Sequence, residues 1–214
     1  MRNKNLFMAM GFLAAFLFWT LAVSLIDVAA IGPEGSSVGF STLNGYLRDT
    51  VGVNMALYTV TDWLGLVPFA VAVGFAFGGF VQLVKRKSIL KVDRSIIALG
   101  IFYILVVGAF LLFEVMAINY RPVLIDGRLE ASYPSSTTLL TLTVMPTAVM
   151  QLRERIKNRA VLQGFTVTIA VFTLFMTVGR LFSGVHWFTD IVGGVLLSVG
   201  LDGLYGWLVC RISK

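Results

Sequence analysis

The sequence predicts an all-α, polytopic membrane protein with six transmembrane helices, and three observations lead to this prediction. Apolar residues make up 57% of the 214 residues and charged residues only 13%, whereas soluble domains carry about 25% charged residues. The mean hydropathy is +0.88. Six apolar runs follow one another along the chain, and a segment that crosses a bilayer must satisfy its backbone groups as a helix.

The six runs form one predicted membrane domain that covers residues 1–214. The first run is longer than the core of a usual signal peptide, so we expect it to be retained as a helix. A cleaved signal peptide is the rival interpretation, supported by small residues around Ala29 and Ala30. The predicted spans are residues 6–26, 60–84, 95–118, 137–152, 160–178 and 191–209.

Residues 27–59 form a predicted outer loop between the first two spans. Its second half repeats apolar residues at roughly helical spacing, for example at Phe40, Leu43 and Leu47. A short amphipathic helix at the membrane surface would give this pattern. An ordinary surface loop is equally compatible with it, so both interpretations stay open.

The positive charges are distributed unevenly between the two sides of the predicted bundle. Of the 17 Lys and Arg residues, 13 lie at the two termini and in the loops after spans two and four. The other four are Arg48, Arg121, Arg128 and Arg180. Because positive residues accumulate in cytoplasmic loops, both termini are predicted in the cytoplasm of a protein integral to the cytoplasmic membrane. The net charge of +6 therefore follows from the membrane topology and does not indicate binding to nucleic acid. The expected partners are membrane lipids.

The stretch from Gly179 to Asp190 holds the only histidine of the chain, His186. His186 and Asp190 are four residues apart, so on a helix they would share one face. The carboxylate could then fix the imidazole tautomer and leave the other nitrogen free as a nucleophile or base. Arg180 offers a fork of donors suited to phosphate. The alternative interpretation is a helix end with a snorkelling arginine.

A second polar stretch precedes the fourth span on the same predicted side. Pro134 followed by Ser135, Ser136 and Thr137 is typical of a helix start, and free backbone donors at a helix start bind phosphate. Arg121 could add a bidentate clamp. The serines alone would indicate only a capped helix. Together with the arginines and the histidine, they predict an oxyanion site on the outer face.

The spacing in the Gly179–Asp190 stretch resembles the third motif of the type-2 phosphatidic acid phosphatase (PAP2) family of membrane phosphatases. That motif is Ser-Arg-x5-His-x3-Asp, and Arg180, His186 and Asp190 match it. Gly179 stands where the family has serine. The order of the motifs and the predicted topology extend the resemblance over nearly the whole chain, which implies a PAP2-like helical bundle.

The first family motif, Lys-x6-Arg-Pro, is matched by Arg121 and Pro122. Glu114 occupies the position of the family lysine. This replacement removes one phosphate contact and places a carboxylate nearby, as a modulator of the site. The alternative is that the third predicted helix is rotated so that Glu114 faces elsewhere.

The second family motif, Pro-Ser-Gly-His, is matched by Pro134 and Ser135. Ser136 replaces the family glycine and Thr137 replaces the family histidine. The family histidine protonates the leaving group, and a threonine hydroxyl cannot do so at neutral pH. This departure makes the second motif the one that bears most on substrate choice.

The resemblance implies a mechanism and a set of residue roles. His186 would attack phosphorus and form a phosphohistidine, and Asp190 would orient the imidazole. Arg121, Arg180 and the helix start at residues 135–137 would bind the phosphate oxygens. The implied partner is therefore a lipid phosphate or diphosphate.

The missing histidine favours one class of substrate. General acid catalysis contributes about 10²–10⁴-fold, and an alkoxide leaving group needs it more than a phosphate does. A lipid or polyprenyl diphosphate, such as undecaprenyl pyrophosphate, is therefore favoured over phosphatidic acid, unless Glu130 or Tyr133 supplies the acid. A non-catalytic or weakly active member that binds or translocates phospholipid or polyprenyl phosphate is the alternative. One histidine and one cysteine offer no metal ligand set, and no cofactor is expected.

Overall fold

The computed structural model describes residues 2–212 as a bundle of eight α-helices. The described part of the chain contains only isolated β-bridges besides helices and turns, so the predicted all-α class is confirmed. Lys214, counted above among the cytoplasmic charges, lies outside the described residues. The helices are α1 (Arg2–Leu25), α2 (Ser41–Val51), α3 (Met55–Leu64), α4 (Leu66–Arg86), α5 (Arg94–Met116), α6 (Ser136–Arg155), α7 (Arg159–Phe182) and α8 (Phe188–Ile212).

Five segments of the described chain are long and apolar enough to cross a membrane. They comprise α1 from Lys4, α3 together with α4, α5, α7 and α8. The prediction of a helical membrane protein is therefore confirmed. The predicted count of six spans is not, because the fourth predicted span, residues 137–152, forms α6 without reaching the apolar character of the other five.

α6 is more polar because other helices surround it. It contacts α4, α5, α7 and α8, and its buried residues include several threonines. The hydroxyls of Thr143 and Thr147 donate to backbone carbonyls four residues earlier, at 2.7 Å each. These polar groups are thus satisfied within the helix itself. A helix that faces protein on most sides does not need a lipid-facing composition.

α1 and α8 lie against each other over much of their length. Their contact uses small residues: a Cβ added at Gly200 would lie 2.7 Å from Leu13, and one added at Gly203 would lie 2.8 Å from Ala9. Small residues let transmembrane helices approach closely. Phe16 of α1 also stacks near Tyr133, so α1 closes the bundle beside the start of α6.

The second predicted span, residues 60–84, differs from the observed helices in two respects. The helix begins earlier, at Met55, where the Asn54 side chain accepts a hydrogen bond from the Leu57 amide at 2.9 Å. It is interrupted at Gly65 and resumes as α4 at Leu66. α3 is therefore a separate short helix. It packs against both α4 and α7, which brings it to the polar site described next.

Candidate active site

His186 lies in the turn between α7 and α8 and is only 4% exposed. Because α8 begins at Phe188, the expectation that His186 and Asp190 share a helix face is wrong. Asp190 instead sits in the first turn of α8, where its Oδ2 accepts a hydrogen bond from the Trp187 amide at 3.0 Å. This folds the carboxylate back toward the preceding turn. Nδ1 of His186 lies 3.6 Å from the same Oδ2.

Asp190 is fully buried and its other oxygen is also bound. Oδ1 accepts a hydrogen bond from Asn119 Nδ2 at 3.1 Å. Asn119 follows α5 and was not among the predicted site residues. Two donors from different segments therefore hold this carboxylate in place, facing the imidazole of His186.

Arg121 contacts the opposite side of the imidazole. Its Nη1 lies 3.1 Å from Nε2 of His186. A guanidinium can only donate, so Nε2 accepts and the ring proton belongs on Nδ1, the nitrogen that faces Asp190. Burial, together with the charges of Arg121 and Arg180, lowers the pKa of His186 well below 6.5. The imidazole is therefore neutral at pH 7, the form a nucleophile requires.

The rest of the Arg121 guanidinium is held by a carboxylate. Its Nε donates to Glu130 Oε2 at 2.9 Å. The side chain of Arg121 is 10% exposed and that of Glu130 is 39% exposed. Glu130 thus anchors this arginine from the solvent side, through the nitrogen that does not face His186.

Arg180 lies in the last turn of α7 and is 1% exposed. Its Nη2 donates to Thr137 Oγ1 at 2.6 Å and to Asp62 Oδ1 at 3.0 Å. Its guanidinium carbon lies 4.9 Å from the centre of the Tyr58 ring, a cation-π contact. Asp62 and Tyr58 belong to α3 and were not predicted as site residues. The available signal was a carboxylate within an apolar segment, which marks functional sites in membrane proteins.

Gly179 explains how α3 reaches Arg180. A Cβ added at Gly179 would lie 2.9 Å from Cγ2 of Thr61. Glycine at this position therefore lets α3 and α7 approach closely. The serine of the family motif would collide with Thr61, so this departure from the motif accompanies the additional contact with α3.

The start of α6 supplies the predicted helix terminus. Ser135 is the N-cap, and its hydroxyl accepts from the amide and the hydroxyl of Thr138, at 3.5 and 3.1 Å. Ser136 and Thr137 occupy the first turn, where amides have no partner within the helix. The predicted residues Arg180 and Thr137 are thus in direct contact, beside two free donors. Ser135 contributes through the cap.

Two of the predicted modulators have no direct contact with the predicted site residues. The Tyr133 hydroxyl is 2.7 Å from Thr20 Oγ1, and its ring packs in the core against Phe16 and Phe113. Burial raises the pKa of Tyr133 above its usual value. Glu114 is exposed on α5 and has no hydrogen bond or ion pair with any described residue. Glu114 therefore faces away from the site, in agreement with the alternative that the third predicted helix is rotated.

These features describe a helical membrane protein in which two arginines, a helix start and a histidine–aspartate pair form a candidate anion site. Within residues 2–212, no group of His, Cys, Asp and Glu side chains could hold a metal ion. Residues 114–211 match the PAP2 superfamily. The predicted resemblance is therefore confirmed over this part of the chain.

The fold extends the similarity beyond the matched residues. The structure is similar to the crystal structure of the first transmembrane PAP2 type phosphatidylglycerolphosphate phosphatase from Bacillus subtilis, with a TM-score of 0.63 and 18% sequence identity. The alignment covers 95% of this chain and 96% of that one. No curated protein sequence matches the chain. At this identity, the likeness establishes a shared fold.

Proposed function

We propose that the protein is a membrane phosphatase that hydrolyses a lipid phosphate through a phosphohistidine at His186, with a preference for lipid or polyprenyl diphosphates. One observation carries the proposal: Nε2 of His186 faces Arg121 at 3.1 Å while Nδ1 faces Asp190 at 3.6 Å. A neutral, oriented imidazole beside a cation is suited to attack on phosphorus. The related Bacillus subtilis protein is described as a phosphatidylglycerolphosphate phosphatase, which supports a lipid phosphate as substrate.

In the first step, the phosphoryl group would lie between the two arginines. Arg121 would turn its Nη1 from His186 to a phosphate oxygen, and Arg180 with the α6 amides would bind the others. Nε2 would then attack phosphorus as the bond to the leaving group breaks. Asp190 would stabilise the charge that develops on the imidazole through Nδ1–H, as a carboxylate does in other histidine-based sites.

The residue at the leaving-group side supports the diphosphate preference. Thr137 bonds Arg180 at 2.6 Å and offers no proton of suitable acidity at pH 7. Glu130 is joined to Nε of Arg121, and the Tyr133 hydroxyl faces Thr20. Neither replaces the family histidine in this arrangement. A phosphate leaving group needs no proton to depart, whereas an alkoxide does.

The test is phosphate release by the purified protein in detergent, from a monophosphate and a diphosphate of one lipid chain. We expect the diphosphate to be hydrolysed faster. His186→Ala should abolish release, and Asp190→Asn should leave a small residual rate because only orientation is lost. Cys210→Ser, at an exposed position outside the site, is the matched control. Undiminished release by His186→Ala would refute the mechanism.

A non-catalytic lipid phosphate binder or translocator is the second candidate. The observation that favours it is that each arginine already has a carboxylate partner, Glu130 or Asp62, besides the absence of the family histidine at Thr137. Such a protein would bind both lipids in the same assay without releasing phosphate. Saturable binding with no release by the wild-type protein would therefore decide for this candidate.

We place the site on the outer face of the cytoplasmic membrane, with both termini in the cytoplasm. The charge asymmetry supports this orientation. In a Cys210→Ser background, Ser88→Cys should resist a membrane-impermeant thiol reagent applied to intact cells, and Asp126→Cys should react. The opposite labelling pattern would place the site in the cytoplasm.

A further inference from the structure

We propose that Asp62 is the general base that activates water for hydrolysis of the phosphohistidine. This inference rests on the proposed function and adds a residue from outside the family motifs. Asp62 lies on α3, and its side chain is 55% exposed. Oδ1 accepts from Arg180 at 3.0 Å, while Oδ2 makes no hydrogen bond to the described residues.

The position of Asp62 relative to Thr137 is the first argument. Both accept from the same nitrogen, Nη2 of Arg180, at 3.0 and 2.6 Å. The carboxylate is therefore within two hydrogen-bond lengths of the residue that stands in place of the family histidine. The proton acceptor near the position of the family histidine would therefore be Asp62 of α3, because Thr137 of α6 cannot serve as one.

The position relative to His186 is the second argument. His186 contacts Arg121, whereas Asp62 contacts Arg180. A phosphoryl group held between the two arginines would thus meet the imidazole from one side and the carboxylate from another. Water must attack the phosphohistidine opposite Nε2, on the side that the leaving group has vacated. Asp62 is the carboxylate on the Arg180 side, where such a water would be bound.

Hydrolysis of the phosphohistidine exchanges one bond to phosphorus for another. The water oxygen forms a bond to phosphorus, and the bond between phosphorus and Nε2 of His186 breaks. Its electron pair returns to Nε2, and orthophosphate is released. The water proton passes to Oδ2 of Asp62, whose side chain is 55% exposed, and is then released.

The same assignment accounts for the substrate preference. In the proposed role, the free Oδ2 of Asp62 accepts a proton from water and donates none. It therefore serves the second step, in which a base is needed, and not the first, in which an acid is needed. A site with a base and no acid suits leaving groups that depart unprotonated, as the phosphate of a diphosphate does.

Glu130 offers a matched control. It is also a half-exposed carboxylate that bonds one of the two arginines, at 2.9 Å. It bonds Nε of Arg121, however, whereas Nη1 of that arginine contacts His186. Glu130→Gln therefore removes the same charge from the site without removing the proposed base.

The experiment is rapid-quench analysis with a lipid diphosphate that carries ³²P on its terminal phosphate. With Asp62→Asn, we expect phosphoenzyme on His186 to form at close to the wild-type rate and to accumulate to near one per protein. Steady-state release should fall by about 10²–10⁴-fold. Glu130→Gln should not accumulate phosphoenzyme, and Asp62→Glu should restore part of the release.

Two results would overturn the inference. One is an Asp62→Asn protein that hydrolyses its phosphoenzyme at the wild-type rate. The other is an Asp62→Asn protein that forms no phosphoenzyme, since Asp62 would then act by holding Arg180. Failure of the proposed function would look different, because the wild-type protein itself would then neither form phosphohistidine nor release phosphate.

Discussion

The two arginines of the site bind similar partners in different surroundings. Arg121 lies in a loop, contacts His186 directly and forms an ion pair with Glu130. Arg180 comes from a helix, is almost completely buried and is enclosed by α3 through Asp62 and a tyrosine ring. The difference indicates that Arg180 holds three helices together, whereas Arg121 contacts the imidazole of His186 and one carboxylate.

This comparison also separates the family motif from what is particular to this chain. The Arg121 side uses a loop arginine and the histidine, both matched by the motifs. The surroundings of Arg180 hold the departures: Gly179 allows the close approach of α3, Thr137 accepts a hydrogen bond from Arg180, and Asp62 supplies the carboxylate. The departures from the motifs at Gly179 and Thr137 are thus concentrated around one arginine.

The largest expected effects come from removing each arginine. Arg121→Ala and Arg180→Ala should each lower turnover by about 10²–10³-fold, the usual loss for one oxyanion donor. Arg180→Ala should also lower the free energy of unfolding, because a buried side chain whose hydrogen bonds link α3, α6 and α7 is lost. Phosphate release and thermal unfolding in detergent measure the two effects. Equal unfolding temperatures for the two variants would contradict the structural role of Arg180.

Thr137→Val should have the next largest effect. It replaces a hydroxyl that accepts from Arg180 at 2.6 Å with a methyl group of the same size. A hydrogen bond to a charged group contributes about 1.5–3 kcal/mol, so kcat/KM should fall about 10- to 100-fold for monophosphates and diphosphates alike. Thr137→Ser, which keeps the hydroxyl, is the control. If Thr137→His instead raised monophosphate turnover alone, the missing acid rather than the Arg180 contact would be decisive.

Gly179→Ser restores the family residue and should destabilise the protein. The added Cβ would lie 2.9 Å from Cγ2 of Thr61, and such overpacking costs about 1–3 kcal/mol. Thr61→Ser removes only that methyl group and keeps the hydroxyl. The double variant should therefore recover most of the loss in a double-mutant cycle of unfolding. Additive losses of unfolding free energy in the two single variants would show that Thr61 of α3 does not pack against residue 179.

The smallest expected effect is on the titration of His186. Because the Arg121 charge helps to lower the pKa of His186, Arg121→Gln should raise that pKa toward 6.5. Arg86→Gln, at the far end of α4, should leave it unchanged. With one histidine in the chain, a single imidazole signal in ¹⁵N NMR reports the value. An unchanged pKa of His186 in the Arg121→Gln protein would show that the charge of Arg121 does not act on the imidazole.

The sign of the pH dependence follows from the same lowered pKa. In the folded protein, His186 stays neutral to lower pH than it does in the unfolded chain. The unfolded chain therefore binds the proton first, and the folded state loses stability as the pH falls below about 6.5. Turnover should fall at still lower pH, as the folded His186 itself becomes protonated.

The sequence was sufficient for the membrane class and for most of the motif residues. Apolar runs report lipid contact directly, which is why α1, α5 and α8 lie over predicted spans. α6 shows the limit, since a helix surrounded by protein carries threonines and loses that signal. The closeness of His186 and Asp190 was predicted, but for the wrong reason, because a turn and not a helix face produces it.

The contacts of α3 could not be predicted because they cross the bundle. Asp62 and Arg180 are separated by 118 positions, and no local spacing links them. Gly179 was visible as a departure from the motif, yet its meaning depends on Thr61, which belongs to another helix. Asn119 likewise reaches Asp190 only after the chain has folded.

The contact between α1 and α8 has a consequence for the assembly of the protein during its synthesis. About 160 residues separate the end of α1 from the start of α8, and ribosomes add about 5–20 residues per second. α1 therefore remains in the bilayer for on the order of ten seconds with the face that packs against α8 uncovered. Asp190 arrives with the helix that covers this face. The contact between His186 and Asp190 thus forms only when the bundle is complete.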